Sequence, residues 1–535
     1  MPTDTLPNTQ PPTLSRRIAI KSIAGYALST GVGATFDTWA QASQATPPTN
    51  AATLAAAWRA MSRVGYGPTP WLVQAVKQAS SPRDWALQQV DAAFNASQQP
   101  PRIARELTDF NAPLSEIFEG AQAERLARAK LKESKAREPQ DQAATAAARA
   151  NQHMDFSADD KDPAFFSRRM VQQAAAWRLM ACSQPEVENP LLARLTEFWF
   201  NHLNVYSGKG SVRPFTGHYV VNVARKHALG RFEDLLLASA RHPAMLHYLD
   251  QFQSVTDGSR GANGQTRGLN ENYARELMEL HTLGVDGGYT QTDVRELARV
   301  LTGWTIGPRA ADGFRFAPRL HDSGNKVVLG QRFPNGVWGQ GEREGEDAIR
   351  MLARHPATAQ RVCARLAQFF VADHAQPALA KRLKDVFLST QGDLRAVVRA
   401  LLESTEFWAA DNKLFKTPMD FACSALAAIH TTTDTVDTTL PERRPLALTW
   451  GFLAQAGQPL HGWQTPDGYR FDAATWLVPE ALTRRADFAL ALARRTPTLD
   501  FLRPYLDAAA LDTIAGEKPA LQAGLMLASP AFMYK

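Results

Sequence analysis

The residues best equipped for chemistry lie between Asn270 and His281, where Glu276, Glu279 and His281 crowd into one short stretch. Carboxylates beside a histidine serve general acid–base catalysis or hold a divalent cation. On a straight α-helix, at about 100° per residue, Glu276 and Glu279 share a face while His281 lies about 160° from Glu279. These three therefore do not chelate one ion from one straight helix. HExxH is absent, as is a Glu-x-x-His pair of the di-iron type. The run from Asp286 fails as a calcium loop, with Gln291 where glycine is needed and Leu297 where glutamate is needed. Further ligands have to come from elsewhere: His202 after an aromatic run, Asp250, or His321-Asp322 with Lys326 close behind. If the chain catalyses a reaction, we expect His202, Glu276, Glu279, His321 and Asp322 to carry it, with a carboxylate as base and a histidine as acid or ligand. The metal candidates are His202, Asp250, Glu276 and His281, without a chelating motif to support a divalent ion. The plainer alternatives are an ion-pair network (Glu271 to Arg275, Arg275 to Glu279) that locks two helices, and a buried His202 bonded to a carbonyl.

Positioning these groups requires helices. Tyr273, Leu277, Leu280 and Gly284 form one apolar stripe, Asn270 or Asn272 can cap its start, and Gly284 can end it. Thr290 to Asp293 reads as a capping box, followed by a second helix with Val294, Leu297, Ala298 and Leu301 inward. Helical periodicity dominates the chain, so the expected class is mainly α: a large multi-helix body with a small β-hairpin near residues 314–338. A charged, Ala-rich segment at 115–151 reads as a solvated helix, and the Thr-rich stretch at 431–444 as a surface loop. Trp463, Tyr469 and Trp476 sit in a Gly/Pro-rich loop, able to stack on sugar rings or to pin that loop to a core. A faint echo links Gly230–Met245 with Gly392–Phe407, each a helix stopped by a small-polar turn before a bulky apolar residue.

The N-terminus reads as an address. Arg16-Arg17 precedes a weakly apolar run diluted by glycines, then small residues around Ala40 to Ala45 and a Pro47-Pro48 linker. This resembles a twin-arginine signal, with Ala19 where such signals usually carry Phe. The expected division is a signal at 1–45, a linker at 46–52 and one large helical domain at 53–535. The expected location is the periplasm or the exterior. Partners would include the twin-arginine export machinery, with no integral membrane span in the mature chain. A net charge of +6 spread over 535 residues is too dilute for a nucleic-acid binder. Three scattered cysteines, Cys182, Cys363 and Cys423, allow at most one disulfide and no cysteine zinc site. A GxSxG elbow, a phosphate loop and a strand-coupled GxGxxG are all missing, which disfavours ordinary serine hydrolases, nucleotide-dependent enzymes and dehydrogenases.

Several rarer words occur in order. Asn270 to Gly284, Gly287-Gly288-Tyr289-Thr290-Gln291 and Leu301-Thr302-Gly303-Trp304 resemble the signature of the bacterial family called domain of unknown function 1800. Arg63 to Thr69, Phe198 to Leu203, His355-Pro356-Ala357, Lys416-Thr417-Pro418 and Gly457-Gln458-Pro459 agree with it along residues 53–535. Phe200 departs from the family's usual histidine and Leu203 from its usual phenylalanine, which leaves His202 as the motif's candidate. The resemblance implies a mostly helical exported protein, without an established activity, and a co-exported partner of the domain of unknown function 1501 family. Two functional readings follow: action on an envelope or extracellular polymer through a polar cleft around Asn270–His281, or a non-enzymatic scaffold for the co-exported partner.

Overall fold

A computed structural model of the chain describes residues 49–135, 162–260, 266–334, 341–374, 376–430, 443–496 and 498–535. The N-terminal address, the later part of the charged segment and nearly all of the Thr-rich stretch lie outside the described residues.

Helix starts are written as a capping residue followed by proline. Thr69-Pro70, Ser81-Pro82, Asn189-Pro190 and Thr417-Pro418 each place a side-chain oxygen on backbone N–H groups of the first turn. Proline then occupies a position whose own N–H would be unpaired. The His242-Pro243-Ala244 and His355-Pro356-Ala357 words work the same way: each imidazole Nδ1 accepts the alanine N–H at 3.1 Å.

Three helices form the middle of the core. Helix α1 (Phe166–Ser183) is buried on every face from Gln173 onward, and α2 (Pro190–His202) is buried at every residue except Glu197. Helix α3 (Pro418–Ile429) is buried from Pro418 to Ala428. A helix apolar all round belongs inside a large body. The polar exceptions are paired. Arg194 of α2 bonds the Asp420 carboxylate of α3 and lies over the rings of Tyr66 and Phe369, and Lys535 Nζ reaches the other Asp420 oxygen at 2.6 Å. Cys182 of α1 and Cys423 of α3 are disulfide-bonded, with Cα atoms 5.8 Å apart, while Cys363 is free and buried. Closing so long a loop stabilises the fold by about 5 kcal/mol in the chain-entropy account.

The described β structure is three two-stranded antiparallel pairs. β1 (Ser259–Arg260) pairs with β2 (Thr266–Arg267). β3 (Trp304–Ile306) pairs with β4 (Phe314–Phe316), and β5 (Lys326–Val328) with β6 (Gln331–Phe333). The expected hairpin region therefore divides, β4 pairing backwards with β3 and β5–β6 closing on their own. Leu329 and Gly330, both at positive φ, make the tight two-residue turn of that second hairpin.

The helix opening the charged segment runs from Leu114 to Lys135. It is not simply a solvated face. Leu114 and Ile117 enter the core, and buried Glu124 accepts from both the N–H and the hydroxyl of Ser167.

The sequence echo has a physical counterpart. Phe232 N–H donates to the Gly392 carbonyl at 2.9 Å, and Leu394 N–H donates to the Gly230 carbonyl at 3.0 Å. The starts of helices Phe232–Arg241 and Leu394–Glu403 thus meet in a reciprocal antiparallel bridge, Arg231 opposite Asp393.

Candidate functional site

Asn270 anchors the central segment. Its Nδ2 donates to the Asp250 carbonyl at 3.0 Å and its Oδ1 accepts the Asn272 N–H at 3.0 Å. A single α-turn, Asn272–Glu276, then widens into a π-helix over Leu277–His281. Thr282 Oγ1 donates to the Leu277 carbonyl at 2.6 Å and Gly284 N–H to the Met278 carbonyl at 3.2 Å, which closes the wider turn. The angular reading for a straight α-helix therefore does not hold here. The inward residues are Tyr273, Ala274, Leu277, Met278 and His281, and Leu280 is only half-buried. Helix Gln291–Val300 follows as expected, with the Thr290–Asp293 capping box and Val294, Leu297, Ala298 and Leu301 buried.

The π-turn carries His281 into the core beside His202. The His202 Nε2 lies 3.0 Å from the His281 carbonyl, and the His202 ring stacks parallel to Phe198. Burial, then Arg365 and Arg361, push His202 well below its ordinary value, and burial with the same arginines brings His281 down to about 3. Both are neutral core histidines at neutral pH, and His202 matches the plainer of its two sequence readings.

Glu276 and Glu279 remain on the outer face. Tyr289 donates its hydroxyl to Glu279 at 3.2 Å, and Arg361 of the neighbouring helix, with Nε on the Leu280 carbonyl at 3.0 Å, lies within the field of Glu279. Glu276 has neither a hydrogen bond nor an ion pair among the described residues. Burial raises its pKa first, and Glu279 and Asp467 raise it further against the opposing pull of Arg275. A half-buried, unpaired carboxylate among like charges has the character of a general acid. Of the two proposed ion pairs, Arg275–Glu271 forms at 3.5 Å, and the second guanidinium bond of Arg275 goes to Gln291 at 2.8 Å.

The other candidates are engaged in pairs of their own. Asp250, at φ 56°, is paired with Lys209 at 2.7 Å. Asp322 holds Arg299 in two bonds of 2.8 and 3.2 Å and accepts the Gly324 N–H; its pKa falls because these outweigh burial. His321 turns the other way, with Nδ1 2.9 Å from the Thr302 carbonyl and Nε2 3.3 Å from buried Glu344. Lys326 completes that cluster through the second Glu344 oxygen. The cluster stitches β5 to helix Glu342–Ala353. Among the described residues, no group of three or more His, Cys, Asp or Glu side chains is arranged to hold a metal ion. The residue types on the outer face, two glutamates with a tyrosine and arginines, suit proton transfer or polar binding better than metal chelation.

The family description "Protein of unknown function (DUF1800)" matches residues 59–534. The chain belongs to the DUF1800 family. No curated protein and no solved structure matches it. Among the described residues, no helix of this DUF1800 chain is long and apolar enough to cross a membrane.

Two features of this DUF1800 chain escaped the sequence reading. In the Phe198 to Leu203 word, attention falls on His202, yet Asn201 and nearby Asn204 hold the loop that carries Trp463 and Tyr469. Asn204 Nδ2 donates to the carbonyls of Trp463 and Thr465 at 3.2 and 2.9 Å. Tyr469 and Trp476 are buried, their polar atoms spent on the Pro459 and Arg470 carbonyls. The second feature, Asp467, accepts from Trp463 Nε1 at 2.8 Å and adds a third carboxylate to the field around Glu276. Its position, far away in sequence, left no local signal.

Proposed function

We propose that this DUF1800 protein works outside the cytoplasm, exported through its twin-arginine-like N-terminus, and engages an envelope or extracellular polymer at the face bearing Glu276, Glu279 and Asp467. The observation that carries the location is the Cys182–Cys423 disulfide between core helices α1 and α3. Such bonds persist in oxidising compartments and are rare in the cytosol. Glu276 supports the acid–base reading of the face: it is partly exposed and unpaired among the described residues, and burial, then Glu279, raise its pKa. It would donate a proton to a leaving oxygen as water takes that oxygen's place on the substrate.

A second reading, a non-enzymatic scaffold for a co-exported domain of unknown function 1501 protein, is favoured by a separate observation. Asp250, His321 and Asp322 are held by intrachain partners, and His202 bonds the His281 carbonyl through Nε2.

One experiment separates the two. Purified mature protein is incubated with cell-wall sacculi and with extracellular polysaccharide, and both co-sedimentation and released soluble fragments are measured. The catalytic reading requires fragments from the wild type and at least a 100-fold loss in Glu276→Gln with binding retained. Binding without fragments keeps the polymer as a ligand and removes the acid–base role of Glu276, and neither binding nor fragments removes the polymer and leaves the scaffold reading. For export, an Arg16→Lys, Arg17→Lys double variant should accumulate as cytoplasmic precursor; normal export of that variant defeats the twin-arginine assignment.

A further inference from the structure

The helix Leu114–Lys135 places Phe118, Ala121, Arg125 and Arg128 at spacings of three and four, one stripe along its surface. That stripe forms one wall of a cavity of about 460 Å³. The facing wall includes Arg213 and Phe215. The floor is aromatic: Phe118 and Phe215 meet at 4.7 Å between ring centroids, and the His247 ring stacks on Phe215 at 5.9 Å. The volume suits a small organic molecule rather than a few waters.

The cationic groups around this space are unequally spent. Arg128 is neutralised by Glu124 at 2.6 Å and gives its Nε to the Ala164 carbonyl at 2.9 Å. Glu124 in turn is buried and occupied by Ser167. Arg213 gives only its Nε, to the Ser207 carbonyl at 3.1 Å, and has no carboxylate partner among the described residues. Arg125 is exposed and has no hydrogen bond or ion pair there. Two guanidiniums with unused donors thus border an aromatic cavity in which the one lining carboxylate is already committed. Guanidinium donors match the geometry of carboxylate and phosphate oxygens, and flat rings accept a flat apolar body. His247 adds no compensating charge, because burial, with Lys209 contributing, lowers it to about 4 and leaves it neutral.

We infer that this cavity is a binding site for an organic anion: a carboxylate, sulfonate or phosphate head held by Arg125 and Arg213, with a flat apolar body seated on the floor that Phe118 and Phe215 form together. The site uses none of the residues of the Glu276 face, so the two assignments stand or fall separately.

The test is calorimetric titration of the full mature chain with 2-naphthoate, against the neutral 2-naphthalenemethanol of similar shape. The expected result is saturable one-to-one binding of naphthoate, at least 10-fold tighter than the alcohol and weakened by added salt. Arg125→Glu should lower naphthoate affinity at least 10-fold while leaving the alcohol unchanged. Because Arg125 is exposed and unpaired, that variant should keep the wild-type melting temperature. Ala121→Trp, which fills the cavity, should remove both ligands. Absence of naphthoate binding, equal affinity for the two probes, or an Arg125→Glu variant indistinguishable from wild type would each overturn the assignment.

Discussion

Asn201 and Tyr469 exchange two hydrogen bonds: Asn201 Nδ2 donates to the Tyr469 carbonyl at 2.9 Å, and its Oδ1 accepts the Tyr469 N–H at 2.7 Å. A side chain at the end of α2 thereby stands in for a strand partner and fixes the loop that brings Asp467 toward Glu276. Gly468, at φ +73°, makes the approach possible, since a Cβ there would lie 2.1 Å from the Asn201 carbonyl oxygen.

Replacing Asn201 by alanine leaves a buried N–H and a buried carbonyl unpaired. The expected loss is about 2–4 kcal/mol, read from urea unfolding. Gly468→Ala should be at least as damaging through backbone strain and collision. An Asn201→Ala protein within about 0.5 kcal/mol of wild type would show that water replaces the clamp.

Thiol counting tests the disulfide. Unfolded without reductant, the chain should release one reactive thiol, from Cys363; with reductant it should release three. Folded, it should react slowly, because Cys363 is buried and its thiol is pushed far up by that burial. A Cys182→Ser, Cys423→Ser double variant should lose up to about 5 kcal/mol of stability.

Acid should unfold this protein through its histidines. His202, His242 and His461 are held well below 6.5, His218 is lowered to about 4 and His281 to about 3, all chiefly by burial. The unfolded chain binds these protons from about pH 6.5 downward while the folded chain does not. Stability is therefore complete above pH 6.5 and falls as the pH drops toward the folded values. Each histidine adds a slope of up to about 1.4 kcal/mol per pH unit. Urea midpoints at pH 7.5 and pH 5 should differ accordingly, and His281→Asn should flatten the dependence by one proton's worth. Equal midpoints at the two pH values would refute this.

Glu344 is the shared carboxylate of Lys326 and His321, and it is buried. Removing it strands a buried lysine. Glu344→Ala should destabilise by about 3–5 kcal/mol, measured by denaturant titration, whereas Asp322→Asn, at a partly exposed pair, should cost about 1 kcal/mol or less.

Local code was readable and distant pairing was not. Cap–proline words, the Thr290–Asp293 box and the period of helix Gln291–Val300 depend on residues a few positions apart, so the chain announces them. The π-turn after Glu276 carries Leu277, Met278 and His281 into the core, and a straight-helix rotation missed it. His321 and Asp322 were read as one pair because they are adjacent, yet an extended backbone sends neighbouring side chains opposite ways, to Glu344 and to Arg299. The cavity beside Arg125 was hidden because a charged stripe reads as solvated until the wall facing it is known.

The bridge between Gly230–Phe232 and Gly392–Leu394 has the form of an isologous contact: what the first segment gives the second, the second gives back. Subunits related by a two-fold axis meet in this way. Here both sides belong to one polypeptide, so a geometry that normally needs two molecules and a finite concentration is available at any dilution. The pairing also leaves neither segment's edge open at that point to capture a neighbouring chain.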